Sequence, residues 1–280
     1  MRKPFFRIIP RLDIKNGNLI KGINLEGLRV LGDPSDFVDL YYQQGADEIC
    51  YLDNVATLYG TNNLSKFITR TAKNIFVPLT VGGGIKSISD IEKMLNAGAD
   101  KVSINSAAVD DNKLIYDASR LFGSSTISIN IEFVNFKGKT FITKSNGRDI
   151  VFINPVKWAK KVESLGAGEI NITSVNYEGL QNGFDIKNIN KISRNIKIPV
   201  LAHGGCGNID HVLDLAMNTN VSGVVIASYF HYNAVFNFKK FKTQIGNTNF
   251  LDNLKHIKKK INLIKEIKNN LSRKGLNVRI

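Results

Sequence analysis

The chain has little sulfur, little proline and no long apolar run. Its 280 residues include two cysteines, three methionines, one tryptophan and six prolines. Cys50 and Cys206 lie far apart, with neither a second Cys pair nor a His at metal-ligand spacing. That excludes a disulfide framework and a zinc motif, so two buried free thiols are expected, with no metal and no organic cofactor. No apolar stretch approaches the ~20 residues needed to cross a bilayer. The opening MRKPFFRIIP is basic, but its apolar run ends too soon, at Arg11 and Asp13, to serve as a secretory signal. A cytoplasmic protein without membrane contact is expected. Acidic residues are in the minority, 24 Asp and Glu against 38 Lys and Arg, for a formal net charge of +14. The basic residues are not interleaved with aromatics in any nucleic-acid motif, so no nucleic-acid partner is expected. A phosphorylated small molecule needs only a few well-placed cations and backbone amides.

Short β-branched runs alternate with amphipathic stretches along the chain, the pattern of parallel strands joined by crossover helices. Strands are expected at Phe6 to Leu12, Glu48 to Asp53, Val77 to Val81, Lys101 to Ile104, Thr126 to Ile131, Glu169 to Thr173, Val200 to His203 and Gly223 to Ala227. Helices are expected at Pro34 to Gln44, Ser65 to Asn74, Ile88 to Ala97 and Asn154 to Leu165, several opened by Ser or Asp caps and closed by Gly. Eight such strands close a barrel. An internal repeat agrees: Gly45-Ala46-Asp47-Glu48 recurs as Gly166-Ala167-Gly168-Glu169, Val77-Pro78-Leu79 as Ile198-Pro199-Val200, and Gly83-Gly84 as Gly204-Gly205, at constant spacing. The expected fold is α/β, a single (β/α)8 TIM barrel over residues 1–280 built from two duplicated half-barrels.

Active sites of such barrels form on the loops after the strands. Val81-Gly82-Gly83-Gly84-Ile85 follows a strand and opens a helix, an arrangement that brings backbone N–H groups and a helix N-terminus to an anion. His203-Gly204-Gly205 repeats it, and one βα unit further on stand Asn105-Ser106 and Ala227-Ser228. Two phosphates, one at each end of a long substrate, are expected. Acid–base candidates are Asp13 after the first strand and Glu132 after the fifth, able to divide general acid and base duties if their environments separate their pKa values. Lys21 and Asp53 complete a polar ring; the structural alternative is that these carboxylates cap loops or pair with Lys15 and Lys21.

Arg7-Ile8-Ile9-Pro10, Leu12-Asp13-Ile14-Lys15, Lys21-Gly22, Gly32-Asp33-Pro34, the run Pro78 to Ile85 and the run Gly98 to Ala108 together resemble the cyclase subunit of imidazole glycerol phosphate synthase, over nearly the whole chain. The resemblance implies a cytoplasmic lyase of histidine biosynthesis, forming a heterodimer with a glutaminase subunit. It would take ammonia from that partner and convert a bis-phosphorylated phosphoribulosyl-formimino-AICAR-phosphate-type substrate to imidazole glycerol phosphate and AICAR. It assigns catalysis to Asp13 and Glu132, the latter standing where the family has an aspartate. It assigns an ammonia gate to Arg7, Glu48, Lys101 and Glu169, a glutaminase-interface position to Asp100, and substrate or phosphate binding to Gly179 beside the residues already named. Without the family, the four gate positions read as charges at strand starts that form salt bridges.

The departures cluster at the catalytic mouth. Arg11 replaces a usual Cys, Glu132 is one methylene longer than expected, and His203 replaces a small residue. In Ser174 to Leu180 the family expects acids at Asn176 and Glu178 and Thr at Leu180, so one acid remains. These changes motivate two alternatives: a cyclase-like paralogue delivering ammonia to a sugar amidotransferase in surface-polysaccharide amidination, or a non-catalytic glutaminase-binding scaffold. The sugar isomerase of the same pathway shares the duplication but lacks the Ala107-Ala108 and gate pattern. A basic, aromatic insertion at about 233–258 precedes a family-like ending from Ile267 to Arg279; of its two readings, contact with a partner and extension of the last helix, the second is expected.

Overall fold

The computed structural model describes residues 5–53, 65–238, 241 and 261–280. Eight parallel strands form a closed ring: β1 (Arg7–Lys15), β4 (Ile49–Asp53), β5 (Leu79–Gly82), β6 (Lys101–Ile104), β7 (Ile127–Phe136), β10 (Glu169–Ser174), β11 (Val200–His203) and β12 (Gly223–Ile226), which returns to β1. The fold is the (β/α)8 barrel expected from the sequence. Helices follow the strands outside the ring, opened where the sequence supplies caps. Asp33 accepts the Ser35 N–H at 2.8 Å before Pro34–Gln43, and Ser87 caps Ile88–Asn96 while Asp90 accepts its hydroxyl in return at 2.9 Å.

The duplication is also visible in the backbone. Gly83 and Gly204 have φ of 96° and 99°, and Asn105 and Ala227, each preceding a helix, sit at nearly the same unusual angles, −125°/−87° and −116°/−82°. Each half also adds something periodicity did not announce. β1 and β7 run on past the barrel and fold back as antiparallel ribbons, β2 (Asn18–Ile23) with β3 (Glu26–Gly32), and β8 (Lys139–Lys144) with β9 (Asp149–Val151). Their turns Asn16-Gly17 and Lys137-Gly138 both hold two positive-φ residues, the type I′ geometry that matches strand twist. Pairing with these ribbons explains why β1 and β7 extend beyond the expected Leu12 and Ile131.

Strand alternation divides the interior. Outward-facing Ile8, Leu12, Tyr51, Val81, Val102, Ile129 and Ile170 pack with the helices in the main core. Ile9, Cys50, Leu52, Leu201 and Val225 form a separate buried cluster inside the ring. Both cysteines are free and buried. Of the insertion expected at about 233–258, residues up to Asn237 complete the helix Ser228–Asn237 and Phe241 packs against Phe37; residues 239–240 and 242–260 lie outside the described residues. The final helix, Leu263–Arg273, is tied to the strand-start end of the barrel: Lys268 Nζ and Arg279 Nε donate to Asp47 at 2.6 and 3.1 Å.

Candidate active site

At the strand-start end, Arg7, Glu48, Lys101 and Glu169 meet in a closed ring of alternating charge. Arg7 pairs with Glu48 at 3.0 Å and with Glu169, while Lys101 pairs with Glu48 at 2.8 Å and with Glu169 at 3.2 Å. Thr80 Oγ1 donates to Glu48 at 2.6 Å and fixes its second oxygen. Asp100, exposed beside this ring, accepts the Leu79 N–H at 2.8 Å.

The apolar cluster lies above this floor, and above it Arg11, Asp13, Asn130 and Glu132 reach the opposite mouth from the same strands. A cleft of about 440 Å3 opens there, lined by Arg11, Asp53, Gly83, Gly84, Asn105, Ser106, Asn130 and Glu132 among others. Gly83 has a positive φ and lies so close to Asp53 that a Cβ would fall 2.2 Å from the Asp53 carbonyl oxygen. Only glycine fits this turn.

The two expected acid–base residues sit in contrasting surroundings. Burial works against the charge of Asp13, but Arg11 and Lys21 outweigh it and hold its carboxyl below the usual range. Arg11 Nε donates to it at 2.8 Å and Lys21 Nζ lies 3.9 Å away. Glu132 is equally buried but has mainly neutral partners: Asn130 Nδ2 at 3.2 Å, the Gly147 N–H at 2.9 Å, and Asn105. Burial therefore prevails over the attraction of Arg11 and pushes its pKa up to about 7. Two buried carboxyls, one of them lining the cleft, are thus shifted in opposite directions.

Several groups in this network were marked in the sequence only as departures or not at all. Glu178 pairs with Lys21, accepts the Leu25 N–H at 3.0 Å and lies 3.9 Å from His203 Nε2. His203 donates Nδ1–H to the Val225 carbonyl at 3.0 Å, and burial lowers its pKa to about 4, so it is neutral near pH 7. Ser145 and Asn146 line the cleft from the β8–β9 loop, and Gly147 of the same loop bonds Glu132; periodicity could not place this loop, and the Ser-Asn-Gly triplet was its one turn signal.

The second glycine set is arranged differently from the first. Gly179, Gly204, Gly205, Ala227 and Ser228 are not among the residues lining the cleft. Gly205 has a positive φ, and a Cβ there would lie 1.9 Å from the Gly183 carbonyl oxygen; Ala227 and Ser228 are buried. The two glycine loops thus differ in their surroundings: one opens on the cleft, and the other is closely covered by the loop after β10. Among the described residues no cluster of His, Cys, Asp and Glu could hold a metal, and no helix is long and apolar enough to cross a membrane.

A barrel with carboxylates and a glycine loop at its mouth, and an ionic ring at its base, is the architecture of a known enzyme class, and the sequence profile of the histidine biosynthesis protein family matches residues 7–236. The chain belongs to that family. Its relatives include the imidazole glycerol phosphate synthase subunit HisF of Legionella pneumophila, 48% identical over 205 residues, which are 73% of this chain and 97% of that protein. The subunit HisF of Bacillus cereus strain Q1 is 44% identical over 227 residues, 81% of this chain and 90% of that protein. Like these relatives, the chain is an enzyme of the cyclase-subunit type.

Proposed function

We propose that the chain is the ammonia-using cyclase subunit of an imidazole glycerol phosphate synthase, working in a heterodimer with a glutaminase. The observation that carries the reading is the alignment of three layers along one lumen: the ring Arg7, Glu48, Lys101 and Glu169, the apolar cluster, and the cleft lined by Arg11 and Glu132, with Asp13 bonded to Arg11. Ammonia released by the partner beside Asp100 enters through the ring and meets the substrate at the cleft. One phosphate of the phosphoribulosyl-formimino-AICAR-phosphate-type substrate binds Gly83, Gly84, Asn105 and Ser106. The other binds Gly204, Gly205, Ala227 and Ser228 once the covering loop with Gly179 shifts.

Ammonia adds to the ketone of the ribulosyl group, water leaves, and ring closure expels AICAR, leaving imidazole glycerol phosphate. Glu132, with a pKa near the working pH, carries the proton between nitrogen and oxygen. Asp13, held ionised by Arg11, stabilises positive charge on the nitrogen. Lys21 and Asp53 border this centre.

Purified chain, ammonium salt and the bis-phosphorylated intermediate are expected to yield imidazole glycerol phosphate. A protein that binds the intermediate yet makes none would overturn the reading and leave a scaffold.

A further inference from the structure

Arg11 heads the largest fully buried side chains of the chain, and a guanidinium taken out of water ordinarily has its donors satisfied. Here the pairing is incomplete. Nε donates to Asp13, whereas Nη1 has no hydrogen-bond partner among the described residues. Arg11 also lines the cleft and stands in register with Cys50 of the apolar cluster, so it sits where lumen and cleft meet. Asp13 is bonded to it, and Glu132 lines the same cleft. A permanent cation with an unpartnered donor thus holds Asp13 and shares the cleft lining with Glu132.

We propose that Arg11 is a catalytic residue whose Nη1 hydrogen-bonds the carbonyl oxygen that ammonia attacks, and stabilises the oxyanion formed there. This rests on the cyclase reading. In the step, the nitrogen lone pair forms the C–N bond and the C=O π pair moves to oxygen. One proton leaves nitrogen for the Glu132 carboxylate and is returned to the oxygen, giving a neutral carbinolamine with no other reactant. A donor aimed at developing negative charge acts on the transition state more than on the bound ketone, so its loss should appear in kcat and not in KM.

The test uses the whole chain with ammonium salt and the bis-phosphorylated intermediate, comparing wild type, Arg11→Lys and Arg11→Gln across pH. Arg11→Gln should lower kcat on the order of 10²–10³-fold at every pH, with KM changed less than about threefold. Arg11→Lys keeps the charge next to Asp13 but loses the fork geometry, and should lower kcat about tenfold. If Arg11→Gln fails to fold, as judged by circular dichroism, the Lys variant decides alone: wild-type kcat in it overturns the inference. So does a defect of Arg11→Gln that disappears at high pH, which would show that Arg11 only keeps Asp13 ionised. Product from wild type with unimpaired variants sinks the role of Arg11 alone, whereas no product from wild type sinks the cyclase reading with it.

Discussion

Glu132 carries an energetic signature that can be measured apart from turnover. Its pKa is raised from 4.5 to about 7 by burial, a shift that corresponds to roughly 3 kcal/mol. A raised folded-state value means that the folded protein favours the protonated form. The stability it contributes is fully present below the unfolded pKa and is lost as pH rises through 7. Glu132→Gln removes that dependence, so its melting temperature relative to wild type should increase from pH 5 to pH 8, followed by scanning fluorimetry. A difference independent of pH would show that Glu132 is already ionised in the fold. The same variant cannot relay a proton, and its kcat should fall about 10²–10⁴-fold in the ammonium assay. Asp13→Asn acts by another route: it strands the buried Arg11 and should cost about 3–5 kcal/mol in urea denaturation.

The two ribbons are tied over the mouth as a pair. Glu178, in the loop after β10, holds Lys21 of β2 and the backbone of Asn24 and Leu25, while Arg148 after β8 pairs with Glu26 at 2.8 Å and Asn146 bonds the Leu25 carbonyl at 3.1 Å. Glu178→Gln leaves Lys21 buried opposite a neutral group. It should destabilise by about 3–5 kcal/mol and speed protease cleavage between Asn24 and Arg29; cleavage at the wild-type rate would show that the tie is not what holds the hairpin. At this scale the sequence was only partly legible. The eight barrel strands showed as β-branched runs because both their faces are buried, and each appears within three residues of its expected start. The ribbons did not, since β3 alternates exposed and half-buried side chains with little apolar contrast, and only the Asn16-Gly17 and Lys137-Gly138 turns mark them. The loop residues Ser145 to Gly147 went unread for the same reason. Asp13 and Glu132 could be singled out as carboxylates at strand ends, and the four ring charges as a gate only through the family resemblance, whereas the coupling of Arg11 to Asp13 and of Lys21 to Glu178 depends on tertiary approach.

For the whole molecule, the ring at the base and the cleft at the mouth make separable predictions. Arg7→Ala opens two of the four ring contacts without touching the cleft. With the glutaminase partner it should lose a large part of glutamine-driven turnover by leaking ammonia to solvent, while ammonium-driven turnover stays within about twofold. Equal loss in both assays would place Arg7 in the stability of the barrel and not in a gate. The duplicated halves share their backbone angles but not their surroundings, one glycine loop lying open and the other covered. The cluster of Ile9, Cys50, Leu52, Leu201 and Val225 has a further consequence. Set between an ionic floor and an ionic ceiling, these five side chains form an oily septum in which a small ion would lose its hydration with nothing to replace it. A molecule crossing it must shed its charge first, so the barrel would discriminate by protonation state. Nitrogen would arrive at the far side as the free base, nucleophilic on arrival whatever the acidity of the surrounding solution.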